Sequence, residues 1–136
     1  MKEFECFLEN KVESIKFSKG IIESYISSHI DDFCQEFLTE TKTIVAECVS
    51  NCVLHSHASE IIMSISKDDE YIYIDVEDNG CGIEDIEKAK CPLYTTAKDQ
   101  ERAGMGFTIV DVFSDEFIII SQPLNGTTIK LTKKIS

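Results

Sequence analysis

The stretch Thr43-Ile44-Val45-Ala46-Glu47-Cys48-Val49-Ser50-Asn51-Cys52-Val53 constrains this chain more than any other. Its apolar residues recur at helical spacing and cover most of the circumference, so the helix belongs in a core. Glu47 and Asn51 nevertheless sit four apart in it, which puts a carboxylate and a carboxamide on one face. A buried polar group left without a partner costs about 1–3 kcal/mol. Any fold that buries this helix must therefore bring something polar to Glu47 and Asn51. Three glycine-bearing segments follow: Asp78-Asn79-Gly80-Cys81-Gly82, Gly104-Met105-Gly106-Phe107 and Gly126-Thr127-Thr128. Alone, each has an ordinary explanation: a turn, a loop closing into a helix, a threonine in a strand. In this order behind the helix they describe a nucleotide site. The first glycine run lets a base approach the backbone, and the second cradles phosphates on the N–H groups of a helix start.

The remaining pattern supplies a scaffold. Phe4, Cys6 and Leu8 alternate with Glu3, Glu5 and Glu9, interrupted at Phe7, which predicts an edge strand. Asn10 with Glu13 resembles a capping box opening a first helix, whose stripe is expected to run Val12, Ile15, Ile22, Ile26, with Lys19 inside it and Gly20 beside it. Asp31 and Asp32 are candidate caps for the second helix, reaching about Leu54, with Phe33, Phe37, Ile44, Cys48 and Cys52 on one broad face. Ile61 to Ser66 and Tyr71 to Glu77 read as a hairpin around residues 67–70. Residues 83–103 are polar and without periodicity, the length of a functional loop. A helix over 106–113 and a hairpin of Glu116–Ser121 with Thr127–Leu131 complete the order. The expected fold is α/β: a two-layer sandwich with helices on one face of a mixed, mostly antiparallel sheet, in a single domain over residues 1–136.

Charge and cysteine content exclude several classes of function. At a formal net charge of -12 the surface repels a phosphate backbone, so direct nucleic-acid binding is not expected. No apolar run approaches the ~20 residues of a membrane span. Acids stand at Glu3 and Glu5 where a signal peptide has its apolar core, which predicts a cytoplasmic protein with its six cysteines reduced. Cys48, Cys52, His55 and His57 form a C-x3-C-x2-H-x-H pattern possible for zinc, but the two cysteines belong to the apolar face of the helix, which favours burial as free thiols.

The combination Glu47-x-x-x-Asn51, Asp78-x-Gly80-x-Gly82, Gly104-x-Gly106 and Gly126-Thr127 resembles the GHKL superfamily, with its Bergerat-type ATP-binding fold. Three segments narrow the likeness: Thr41-Lys42-Thr43-Ile44-Val45-Ala46-Glu47, Cys91-Pro92-Leu93-Tyr94-Thr95-Thr96 and Glu101 through Ile109. They resemble the anti-sigma factor serine kinases, most closely the sporulation type and next the stress-response type. The resemblance spans nearly the whole chain. It implies a homodimeric, ATP- and Mg²⁺-dependent protein that binds a sporulation sigma factor and phosphorylates a serine of an anti-anti-sigma factor. The alternatives are a nucleotide-dependent binding module without kinase activity, which retention of Glu47 disfavours, and an anti-sigma kinase of the stress-response type.

Carried residue by residue, the resemblance makes Glu47 the general base for the serine hydroxyl. Asn51 offers an amide oxygen to Mg²⁺, a hard cation that takes few protein ligands. Asp78 accepts from the adenine amino group, and Thr127 bonds near the same edge. Gly80 and Gly82 admit the base; Gly104, Met105 and Gly106 receive the phosphates. Residues 84–103 form the expected lid, in which Thr96, Lys98 and Arg102 are candidate nucleotide contacts. The family's lid lysine aligns with Ala97 here, with Lys98 beside it. Lys19, Glu101 and Arg102 are candidate partner contacts. The family has an arginine at the Lys19 position, so the charge is kept and the planar fork lost.

Overall fold

The computed structural model describes residues 4–55, 60–79, 108–121 and 126–136. The elements are β1 (Phe4–Glu9), α1 (Glu13–His29), α2 (Gln35–His55), β2 (Glu60–Lys67), β3 (Tyr71–Asp78), β4 (Glu116–Ser121) and β5 (Thr127–Lys134), with residues 108–113 helical before β4. The five strands form one sheet in the order β1-β2-β3-β5-β4. Every pairing in it is antiparallel, so the parallel component of the expected mixed sheet does not occur among the described residues. The edge position expected for the first strand holds, and β4 forms the other edge.

Period-two alternation decides which side chains meet the helices. Ile61, Met63 and Ile65 of β2, Ile72, Ile74 and Val76 of β3, and Ile129 and Leu131 of β5 are all buried. They join Ile22 and Ile26 of α1 and Phe37, Ile44, Val45, Cys48, Val49 and Cys52 of α2 in one core. Full burial of each such side chain stabilises the fold by about 1.5–3 kcal/mol before the ordering cost. On the opposite face Lys130 pairs with Asp75 at 3.0 Å, and Phe7, Ile118 and Ile120 stand exposed on the edge strands. The α2 face expected from the sequence is the buried one, with Phe33 half-buried at its end. Among the described residues, no helix is long and apolar enough to cross a membrane.

Two local readings are corrected. The stripe of α1 does not run through Val12, which is 66% exposed, but through Ser14, Ser18, Ile22, Tyr25 and Ile26. The small serines let the helix start lie close to β1: Ser14 Oγ donates to the Glu9 carbonyl at 2.7 Å and Ser18 Oγ to that of Ile15 at 2.7 Å. With the stripe at Ser18, Lys19 turns out to solvent, and Val12 rather than Asn10 is the first cap, with no side-chain cap bond. The second correction concerns α2. Asp31 and Asp32 lie in an exposed bend and the helix opens at Gln35. The Phe37 N–H is accepted by Cys34 Sγ at 3.4 Å, so a sulfur does the capping.

The turn between β2 and β3 is closed by one carboxylate. Asp68 accepts from the N–H groups of Glu70 (2.8 Å) and Tyr71 (2.7 Å) and from the Tyr73 hydroxyl (2.5 Å). These donors hold its pKa below the usual carboxylate value. Across the sheet, Lys133 points inward from β5 by the same parity as Ile129 and Leu131. Its Nζ donates to Glu40 Oε1 of α2 at 2.8 Å and to the Phe113 carbonyl at 2.7 Å, and it lies 6.0 Å from the centre of the Phe37 ring. One buried cation thus joins β5, α2 and the C-terminal end of the helical residues 108–113, where a positive charge suits the helix dipole.

Candidate nucleotide site

The far ends of β3 and β5 meet beneath the second half of α2. Asp78, the last residue of β3, lies directly opposite Thr127, the first residue of β5. Both are 8% exposed. Gly126 makes this approach possible: its φ is +89°, and a Cβ there would collide with the Asp78 carbonyl oxygen. A side chain at this position is excluded both by the backbone conformation and by the neighbouring strand. The role given to Gly126 in the sequence motif is therefore a steric one that the register makes explicit.

α2 reaches the same point from above. Cys52 is buried, and its thiol donates to Asp78 Oδ2 at 3.3 Å. Burial drives the Cys52 pKa well above the ordinary thiol value, and the Asp78 charge and hydrogen bond push in the same direction, so the thiol keeps its proton. Asn51 is the residue before it and is half-buried. Its amide nitrogen is buried without a hydrogen-bond partner among the described residues. One turn earlier, Glu47 is half-buried between buried Ala46 and Cys48. Burial pushes the Cys48 thiol to about 12, and the neighbouring Glu47 carboxylate contributes to the rise.

The structure therefore brings Asp78, Thr127 and Gly126 together and sets the α2 turn carrying Asn51 against them. Glu47 follows on the same helical face, one turn toward the N-terminus. Lys19 lies away from this cluster on the exposed side of α1. Gly80, Gly82, Thr96, Lys98, Glu101, Arg102, Gly104, Met105 and Gly106 fall outside the described residues. Sequence reasoning missed Cys52 as a partner of Asp78, since spacing along α2 assigns it only to the core face. It also missed Lys133, although strand parity from Ile129 and Leu131 points it inward. The zinc pattern is divided: Cys48 and Cys52 are committed to the core, and His57 lies outside the described residues. Among the described residues no group of three His, Cys, Asp or Glu side chains is placed to hold a metal ion.

This arrangement has known counterparts. Residues 38–136 match the family described as Histidine kinase-, DNA gyrase B-, and HSP90-like ATPase, and the chain belongs to that family. It is similar to the anti-sigma F factor of Bacillus subtilis (strain 168), with 41% identity over 97 residues covering 68% of this chain and 66% of the relative. With the anti-sigma F factor of Caldanaerobacter subterraneus subsp. tengcongensis the identity is 47% over 94 residues, covering 67% and 66%. The chain thus spans just under two thirds of the length of the curated relatives it matches. Among solved structures, the RsbU and RsbW domains of a Mycobacterium tuberculosis protein superpose with a TM-score of 0.69 at 14% identity, covering 97% of this chain and 32% of that one. The blue-light activated histidine kinase of Erythrobacter litoralis EL346 gives a TM-score of 0.60 at 22% identity, covering 86% and 40%. Both share the fold, which is the GHKL-type sandwich expected from the sequence.

Proposed function

We propose that this chain is an ATP-dependent serine protein kinase that also acts as an anti-sigma factor. The observation that carries the nucleotide half is the meeting of Asp78 and Thr127 across β3 and β5, with the Asn51 turn of α2 packed against them. Asp78 offers its carboxylate oxygens as acceptors beside the close-packed backbone of Gly126. It favours the adenine amino group over the guanine oxygen at the same place. Gly80 and Gly82 would admit the base, Gly104, Met105 and Gly106 would receive the phosphates, and Thr96, Lys98 and Arg102 are further proposed nucleotide contacts.

Mg²⁺ fits the residues present. The Asn51 carboxamide brings a hard oxygen for the ion, while its buried amide nitrogen, a donor without a partner among the described residues, suits a phosphate oxygen. Asn51 would hold the ion through its amide oxygen, with phosphate oxygens and water completing the shell. The bound ion would offset phosphate charge. Glu47 sits one helical turn away on the same face, half-buried, where a carboxylate takes the proton of an attacking serine hydroxyl.

The anti-sigma half is supported by the names of the relatives. The sporulation-type sigma factor and the anti-anti-sigma factor are the partners proposed, with Lys19, Glu101 and Arg102 as contacts. Lys19 stands exposed beside a groove along α1 that Phe4, Lys16, Phe17, Gly20, Ile21 and Tyr25 line. A phosphate on the anti-anti-sigma factor adds about -1.5 to -2 charges. Against a chain at -12, that addition drives release. The test is to incubate the protein with labelled ATP, Mg²⁺ and a candidate anti-anti-sigma factor and to assay phosphoserine. Glu47→Ala is expected to bind nucleotide while phosphorylating about 10²–10⁴-fold more slowly. Transfer at the wild-type rate by that variant removes Glu47 as the base, and wild-type protein that binds ATP without transferring phosphate leaves only a binding module.

A further inference from the structure

A strand fixes the backbone of its last residue, not the plane of its carboxylate. The final torsion of an aspartate is broad and nearly two-fold, so the carboxylate of Asp78 has to be oriented by what touches it. Register with Thr127 and the close approach of Gly126 hold the main chain of Asp78. The side chain is met from α2 by the Cys52 thiol, at 3.3 Å from Oδ2. This contact joins the helix that carries Glu47 and Asn51 to the strand end that reads the base. The thiol is the donor in this contact, since an S–H faces a carboxylate oxygen that can only accept.

We infer that Cys52 is a positioning residue for base recognition, its S–H···Oδ2 bond setting the plane in which the Asp78 carboxylate meets the exocyclic amino group of a purine. This rests on the nucleotide reading of the site and deepens it by naming what orients the reading group. A well-positioned acceptor separates bases that carry an amino group at that edge from bases that do not. A loosely held acceptor rotates to suit either and separates them less. Hydroxyl and thiol both donate, so serine at this position keeps a donor toward Oδ2 with a slightly shorter reach, whereas alanine removes it.

The experiment is a calorimetric comparison of wild type, Cys52→Ser and Cys52→Ala with ATP, GTP and purine riboside triphosphate, the last lacking the amino group. Thermal unfolding confirms that each variant is folded. Wild type is expected to prefer ATP over both analogues. Cys52→Ala should lose about three- to tenfold in ATP affinity, as expected for one modest hydrogen bond. Its affinity for purine riboside triphosphate should change little, so that the preference narrows. Cys52→Ser should restore it. An alanine variant as selective as wild type, or a serine variant no better than alanine, overturns the role of Cys52 while leaving the nucleotide site standing. Wild-type protein indifferent to all three nucleotides overturns the nucleotide reading, and this inference with it.

Discussion

The central strand pair β3/β5 has two ends that use the same kinds of residue for opposite purposes. At the Tyr71–Lys134 end, polar groups tie elements together. Asp68 closes its turn with three donors, Lys133 joins β5 to Glu40 and Phe113, and Lys134 N–H donates to Asp115 Oδ2 at 2.6 Å. At the Asp78–Thr127 end, a carboxylate is buried under a helix, a glycine is pressed against its carbonyl, and an amide nitrogen of Asn51 is buried without a partner among the described residues. Two aspartates ten positions apart in one hairpin thus differ in kind. The first spends its acceptors on the fold, and the second is set, partly by a thiol, where a ligand would reach it. A protein can keep poorly satisfied groups at one end of a sheet because the other end holds the strands in register.

That contrast can be broken most directly at the two aspartates. Asp78→Asn is expected to weaken ATP binding by about 10–100-fold, the loss of one hydrogen bond to a charged acceptor. Asp68→Asn should leave ATP affinity unchanged and lower only the thermal stability of the hairpin. Calorimetry and melting curves on both variants decide it, and equal effects on ATP affinity erase the distinction.

Lys133→Met tests the tying end from its cation. It leaves Glu40 and the Phe113 carbonyl without their donor. Because Glu40 keeps some access to water, the cost expected is about 1–3 kcal/mol rather than the full cost of breaking a buried pair. Denaturant unfolding measures it. A variant as stable as wild type shows that the tie contributes nothing net.

The last test concerns the thiols of α2 and is confined to alkaline pH, with no effect expected near neutrality. The Cys48 pKa rises from 9.0 to about 12 on folding. Its neutral form is favoured in the native state, so its contribution is fully present below the unfolded value and is lost as pH rises from about 9 toward 12. In that window unfolded chains have released a proton that native chains retain, and stability falls by about 1.4 kcal/mol per pH unit for each such group. Cys48→Ala should reduce the alkaline slope by one proton's worth, read from unfolding at stepped pH. An unchanged slope assigns the alkaline loss to other groups.

Much of this architecture is readable in the sequence, for identifiable reasons. The Ile61–Ser66 and Tyr71–Glu77 hairpin follows from alternation, and the burial of α2 from its nearly unbroken apolar circumference. Glu47 and Asn51 are conspicuous because each is polar in an apolar helix, whereas Asp78 and Thr127 stand out only through the glycine motifs they border. What resists reading is anything decided by contact between distant segments. The Cys34 sulfur cap belongs to no usual capping set, and Asp31 and Asp32 offered a more ordinary choice. The α1 stripe resists reading because its first buried positions are serines, Ser14 and Ser18, which apolar periodicity does not mark. Cys52 gave no signal of its own, since only the fold reveals that the end of β3 lies under it.

Gly126 has one more consequence, and it concerns time rather than shape. The β2–β3 turn closes over only residues 68–70, whereas Asp78 and Thr127 are roughly fifty residues apart along the chain. Loop entropy makes the second closure costlier by about 2.5 kcal/mol. The hairpin is thus a local and inexpensive event, and the junction at Gly126 a remote one. A molecule that touches both strands there acts on the more expensive closure, and its residence prolongs the life of the closed chain.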